Sequence, residues 1–249
     1  MKALGSGELL NAWEQSLGKP LLPRMLILLA ASCPEIPADT LEKLSIGQRD
    51  RQLLQLRTHL FGQRLLSTAV CPQCGERIEW ESNTTDFIRK TPENSAIADE
   101  FDLNADGYAL RFRLPNSLDI TTVINTSPDN DNAEKMQQHL LSRCLLNAEQ
   151  SGKSYDFDQL PASVTRKLSQ QIEQLDAHAD IRIQLNCPEC SHSWSVLFDI
   201  AHFLWTEVNE WAQQILQTVY KLATGYGWSE QEILRLSPVR RQLYLGMLE

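Results

Sequence analysis

Cys71-Pro72-Gln73-Cys74 and Cys187-Pro188-Glu189-Cys190 restrict the folding of this chain more than any other residues. One CxxC turn presents two sulfurs to a single ion, and a tetrahedral metal site takes four. The proline fixes one backbone angle in each turn. Gly75 follows the first pair and is free to adopt a positive φ; Ser191 holds the equivalent place after the second. Alternating sequence flanks both pairs. Ile78 and Trp80 alternate with Arg77, Glu79 and Glu81. Ile181, Ile183 and Leu185 lead into Cys187, and Trp194, Val196 and Phe198 lead out of Cys190. Hairpins joined by four sulfurs have the layout of a zinc ribbon. Because 112 residues lie between Cys74 and Cys187, the ribbon is split and other structure is inserted into it. One structural Zn2+ held by Cys71, Cys74, Cys187 and Cys190 then closes a very long loop, which contributes several kcal/mol to folding.

The ligands alone also admit iron in a rubredoxin-like site, and His192 stands close enough in sequence to replace a sulfur. A redox dithiol fits less well, since neither pair opens a helix after a strand. Four thiolates leave no open coordination position. The chain also contains no HExxH, GxSxG, deaminase or P-loop pattern, so no catalytic residues are assigned. Gly152-Lys153-Ser154 ends like a phosphate-binding loop, but Asn147 occupies the place of its first glycine, which leaves an ordinary loop. Of the two remaining cysteines, Cys144 sits in a helical pattern with Leu140, Leu141 and Leu145 and reads as a small core residue.

The expected fold class is α+β and mainly helical. Small antiparallel hairpins surround one four-cysteine site, with a helical insertion and C-terminal helices. Residues 1–45 form an N-terminal helical segment, including Glu8 to Leu17 and a buried helix over Leu21 to Ala31 with Pro23 in its first turn. Residues 46–114 hold a helix and the first half of the ribbon. That helix is predicted from Gly47 to Ala69, with Leu53, Leu56 and Leu60 on one stripe and Leu54, Phe61 and Leu65 beside it. Thr91 to Gly107 reads as a polar loop, and Tyr108 to Leu114 as a strand. The insertion, 115–178, carries helices over Ala133 to Ala148 and Leu160 to Ala177 around a polar turn at Gln150 to Asp158. Residues 179–200 are the second half of the ribbon. Residues 201–249 are helical, with a helix over Ala201 to Thr224 stopped by Gly225. A capping box at Ser229 and Glu232 and a Ser237-Pro238 start open two further helices.

The 249-residue chain has a formal net charge of -9 and a pI near 5.1. That balance argues against wide contact with nucleic-acid phosphates or an anionic membrane surface. No apolar run approaches the length of a membrane span, and Glu8 and Glu14 precede the longest one, unlike a signal peptide. Paired cysteines without an export signal point to a reducing cytoplasm.

Gly47-Gln48-Arg49-Asp50-Arg51-Gln52-Leu53-Leu54-Gln55-Leu56-Arg57, then Phe61-Gly62-Gln63-Arg64 and the Cys71 turn, resemble the T4-type baseplate hub assembly chaperone family. The second turn, Phe198-Asp199-Ile200, Tyr226-Gly227-Trp228-Ser229-Glu230-Gln231-Glu232-Ile233-Leu234, Arg240-Arg241 and Tyr244-Leu245 are similar to its C-terminal half. Ser191 departs from the glycine usual in that family's second turn. The resemblance implies a non-enzymatic cytoplasmic assembly factor, or minor component, for the baseplate hub of a contractile phage tail or injection system. Its partners would be hub or spike proteins, with no small-molecule substrate. Two segments are candidate partner surfaces: the charged face with Arg49, Asp50, Arg57 and Arg64, and the tail with Tyr226, Trp228, Arg240, Arg241 and Tyr244. The competing expectation is a zinc-ribbon nucleic-acid-binding regulator, although the tips Pro72-Gln73 and Pro188-Glu189 are not basic.

Overall fold

The computed structural model describes residues 1–88, 100–126 and 133–248. In chain order the elements are α1 (Ser6–Ser16), α2 (Leu21–Ser32), α3 (Ala38–Lys43), α4 (Ile46–Phe61), β1 (Arg64–Val70), β2 (Arg77–Asn83), α5 (Thr84–Ile88), β3 (Phe101–Ala105) and β4 (Tyr108–Phe112). They continue as α6 (Ser117–Thr126), α7 (Ala133–Cys144), β5 (Leu145–Gln150), β6 (Lys153–Ser154), α8 (Ala162–Leu175), β7 (Arg182–Asn186), β8 (Ser193–Leu197), α9 (Ile200–Tyr226), α10 (Glu230–Arg235) and α11 (Pro238–Gly246). The protein is mainly helical, with small antiparallel sheets. Two compact units divide it: Met1–Ala38 with Asp199–Glu249, and Asp39–Phe198.

The first unit is built on α9. Its stripe of Leu204, Val208, Ala212, Ile215, Val219 and Leu222 is buried, against Leu9 and Leu10 of α1, Met25, Leu28 and Leu29 of α2, and Ile233 of α10. Polar contacts orient these helices: Trp13 Nε1 donates to Asn209 Oδ1 at 3.0 Å, and the Arg24 guanidinium lies 4.5 Å from the Trp205 ring centre. Pro23 sits in the first turn of α2, where its missing N–H costs nothing. The α9 helix runs past Gly225 to Tyr226. Its stop is Gly227, at φ +71° in the left-handed region. Gly225 remains helical, and its lack of a side chain makes room for Leu248.

In the second unit, β3–β4–β5–β6 form one antiparallel sheet. Phe112, Leu110, Ala105 and Ala148 from its strands pack with Val164, Leu168 and Ile172 of α8 and Leu141 and Cys144 of α7. Burial pushes the Cys144 thiol up to about 12, so it behaves as a neutral core group. Two expectations change here. Phe101–Ala105 is a strand, turned at Asp106-Gly107 with both φ positive; residues 91–99 of the expected loop lie outside the described residues. The helix expected over Ala133 to Ala148 stops at Cys144, because Leu145–Gln150 pairs with β4, so the insertion is not purely helical. Gly152-Lys153-Ser154 belongs to the β5–β6 hairpin, whose turn is Ser151-Gly152.

Two buried carboxylates tie this unit together. Asp119 is 1 % exposed and lies in the first turn of α6. It accepts from Arg113 (2.6 and 2.9 Å), from Arg143 Nε (2.9 Å) and from the Asn116 backbone, while Asn116 Oδ1 accepts from the Asp119 N–H. This reciprocal pair caps α6. Burial alone would raise the Asp119 carboxyl. The Arg113 hydrogen bonds, the Asn116 N–H and Arg143 outweigh it and hold the group below the ordinary carboxylate range.

The second carboxylate, Asp176, accepts from Ser45 Oγ at 2.7 Å and from the Gly47 N–H at 3.0 Å, at the start of α4. A Cβ on Gly47 would stand 2.3 Å from Asp176 Oδ1. The α4 helix itself ends at Phe61, not Ala69. Leu65, Ser67 and Ala69 instead alternate along β1, opposite Ser82, Trp80 and Ile78 of β2.

Two stability predictions follow from these contacts. Gly47→Ala gains about 1 kcal/mol of helix propensity but displaces a buried, hydrogen-bonded carboxylate. A net loss of about 2 kcal/mol is expected by denaturant titration, whereas Gly225→Ala, which meets only the flexible end of Leu248, changes stability by about 0.5 kcal/mol or less. Asp119→Asn should cost about 3 kcal/mol at neutral pH by leaving two guanidinium groups without their anion. Because the native carboxyl is depressed, that contribution is present above the unfolded carboxylate range and fades as pH falls through the native value. The gap between wild type and variant therefore narrows below about pH 4.

Candidate metal centre

The two CxxC turns have the same local geometry. In the first, the Cys71 N–H donates to the Glu76 carbonyl at 2.8 Å and the Gly75 N–H to the Cys71 carbonyl at 3.0 Å. In the second, Cys187 N–H donates to His192 O at 2.8 Å and Ser191 N–H to Cys187 O at 2.9 Å. Gly75 has φ +78° and Ser191 φ +57°, so serine makes the same left-handed turn that glycine makes in its counterpart. Each turn closes a hairpin: β1 with β2 from Arg64↔Asn83 to Val70↔Arg77, and β7 with β8 from Arg182↔Leu197 to Asn186↔Ser193.

The hairpins meet at their cysteines. All four sulfurs lie within 4.8 Å of one another. Cys74 and Cys187, 113 positions apart in sequence, approach to 3.5 Å, and Cys71 and Cys190 to 3.7 Å. A disulfide would need about 2.05 Å. Four thiolates about 2.3 Å from one tetrahedral ion stand about 3.8 Å from each other, so the observed spacing fits a shared metal. Cys71 and Cys187 are buried, Cys190 is half-buried and Cys74 is exposed. Phe87 of α5 stacks on Phe198, just beyond β8, with ring centres 5.0 Å apart, which adds an apolar tie between the same two segments. His192 is not among the clustered groups; its ring stacks on Trp194.

Four thiols this close cannot all ionise without a cation. Burial would raise Cys71, but the Cys74 and Gln73 N–H groups and neighbouring thiols bring it down to about 7. At Cys74 the Glu76 N–H pulls downward, yet burial and the thiols of Cys187, Cys190 and Cys71 push the group up to about 12. Cys190 is also raised: the His192 N–H and the Cys74 thiol pull downward, yet burial and the Cys187 and Cys71 thiols prevail. A bound divalent ion would supply the missing positive charge.

A family model described as T4 bacteriophage base plate protein matches residues 9–205. The chain belongs to this family. No curated protein and no solved structure matches it. The region shared with other T4-type base plate proteins contains both CxxC turns and all of the second unit. It begins inside α1, well before Gly47, takes in all of α2, and ends inside α9. A role connected with a phage base plate, and contact with other base plate proteins, follow from membership. Among the described residues no helix is long and apolar enough to cross a membrane.

The residues expected to form partner surfaces have mixed positions in this base plate protein. Arg49 is buried, donates to Asp50 Oδ1 at 2.8 Å and reaches Ser117 Oγ at 3.2 Å. Arg57 is buried and donates to the Gly62 carbonyl at 2.7 Å. Both guanidinium groups are therefore used inside the protein, Arg49 towards α6 and Arg57 at the end of α4, in place of the partner surface expected of them. Arg64 is exposed and pairs with Glu81 across the hairpin at 2.8 Å. Tyr226, Trp228 and Tyr244 pack on one another around Val219, Leu222 and Ile233, and Tyr226 Oη–H donates to the Tyr244 carbonyl. Arg241 is buried, donating to the Leu234 and Leu236 carbonyls and to Ser6 Oγ. Of the five tail residues, Arg240 is the exposed one.

Ser191 gives a direct test of the turn geometry. A side chain in the left-handed region costs about 1 kcal/mol, partly offset by the greater freedom of an unfolded glycine. Ser191→Gly should therefore raise stability by about 0.5 kcal/mol, and Gly75→Ala should lower it by about 1 kcal/mol or more, both measured by thermal unfolding.

Proposed function

We propose that this protein is a zinc-stabilised, non-enzymatic assembly factor, transient or retained, for the base plate hub of a contractile phage tail or injection system. The observation that carries the reading is the convergence of four cysteines from two distant hairpins, in a chain of the base plate family. The donor set contains sulfur and no carboxylate or imidazole, which suits a closed structural Zn2+ site of a split zinc ribbon. When bound, the ion would be held by Cys71, Cys74, Cys187 and Cys190 and would supply cross-linking charge, not Lewis-acid chemistry. Closing a loop of this length removes about 4–5 kcal/mol of chain entropy from the unfolded state. Hub or spike proteins are the partners of this reading, met in the cytoplasm of the producing cell. The net charge of -9 and the non-basic hairpin tips favour protein over nucleic acid as that partner.

Elemental analysis of purified protein should give one zinc per chain. Cys74→Ser combined with Cys190→Ser should abolish it and lower the unfolding midpoint sharply. Co-expression with the hub and spike proteins of the same tail should yield a stable complex and no substrate turnover. Absence of any such complex would remove the assembly role. Redox cycling of the thiols without bound metal would remove the zinc role.

A further inference from the structure

The four sulfurs of the cluster differ in access. Cys71 and Cys187 are buried, Cys190 is half-buried and Cys74 is exposed. Two approaches across the hairpins each join a buried sulfur to a more accessible one. Cys74 Sγ stands 3.5 Å from Cys187 Sγ, and Cys190 Sγ stands 3.7 Å from Cys71 Sγ. A thiolate held by a metal remains a nucleophile, and oxidation selects the sulfur that meets solvent. Cys74 is therefore where an oxidant enters this site. The sulfur placed to resolve it is Cys187, on the other hairpin. A closure of about 1.5 Å brings the pair to disulfide length.

Local charge narrows the class of oxidant. Apart from His192 and the cysteines, the ionisable side chains of turns 71–76 and 187–192 are Glu76 and Glu189, both exposed. Carboxylates in both turns disfavour an anionic disulfide such as oxidised glutathione. Hydrogen peroxide is small and neutral and meets no such barrier.

We propose that the cysteine cluster is a redox-tolerant clasp: hydrogen peroxide oxidises Cys74, Cys187 resolves it, and the resulting disulfide keeps the two hairpins joined after the metal has left. Cys74 Sγ attacks one peroxide oxygen. The O–O bond breaks, giving a sulfenic acid and a hydroxide that takes a proton from solvent. The Cys187 thiolate then attacks Cys74 Sγ, the S–O bond breaks, and a second hydroxide leaves and is protonated. Two thiolates have lost two electrons, and the peroxide with two protons has become two waters. Cys71 and Cys190 alone do not complete a closed four-sulfur site, so they release the zinc as Zn2+. The inference rests on the reading that the cluster holds structural zinc, and adds what becomes of it outside a reducing cytoplasm. A chain that follows its base plate out of the cell would keep these segments tied. A bridge within one turn, Cys71 to Cys74 or Cys187 to Cys190, would leave the hairpins separate.

The test treats zinc-loaded wild-type protein with hydrogen peroxide and follows released zinc with a metallochromic dye. Trypsin cuts after Arg64, Arg77, Arg182 and Lys221, so Cys71 and Cys74 share peptide 65–77 while Cys187 and Cys190 share peptide 183–221. Zinc should be released in step with thiol loss. Non-reducing mass spectrometry should find the two peptides joined, with fragmentation placing the first bond between Cys74 and Cys187. Brief alkylation of the zinc-loaded protein should label Cys74 about tenfold faster than Cys71 or Cys187. Oxidised, metal-free protein should melt about 10 °C above reduced, metal-free protein. In-turn bridges, a first bond that omits Cys74, or thiols that survive excess peroxide with zinc in place would overturn the clasp and leave the structural zinc site standing. Protein that takes up no zinc would overturn the zinc reading and this inference with it.

Discussion

Four sulfurs bring β1–β2 and β7–β8 together across more than a hundred intervening residues, and the second unit depends on that meeting. A two-stranded hairpin is marginally stable by itself in water. Each of these hairpins has one buried leucine, Leu65 or Leu185, on an otherwise half-exposed inner face, and is nearly bare along its outer one. Hydrophobic burial alone therefore supports them weakly. The cysteine cluster and the stacked Phe87 and Phe198 join the two segments. Everything between them, including the sheet under α8, is placed inside the loop that this junction closes.

Buried charge does the complementary work elsewhere in the unit. Asp176 holds the start of α4, and Asp119 caps α6 while holding Arg113 and Arg143. Such groups are costly to desolvate and specify one arrangement, because any other leaves an anion or guanidinium unpaired in a dry environment. Gly47 is part of this solution for a steric reason: a methyl group there would occupy the position of the Asp176 carboxylate. The same economy explains why arginines in family-like segments are poor guides to a partner surface. Arg49, Arg57 and Arg241 direct their donors to internal oxygens, whereas Arg240 is exposed.

Much of the helical layout was legible because periodicity and capping are local. The α9 stripe, the Ser229–Glu232 box and the Ser237-Pro238 start needed only neighbouring residues. Strands were harder. Leu145–Gln150 continues the helical pattern of α7, yet pairing with β4 makes it a strand. Leu54, Phe61 and Leu65 mimic one stripe across a helix end and a strand start. The Asp106-Gly107 and Ser151-Gly152 turns were available hairpin signals that marked β3–β4 and β5–β6.

By itself the sequence determined the donor chemistry: four thiols in two turns, placed by residue type and spacing that no packing alters. It also determined the acidic balance and the lack of any apolar run of membrane-spanning length. Only the tertiary structure decided which sulfurs face one another, that Ser191 accepts the left-handed turn, and which arginines and aromatics are buried. Those outcomes depend on contacts between residues far apart in the chain, where desolvation and close packing override local pattern.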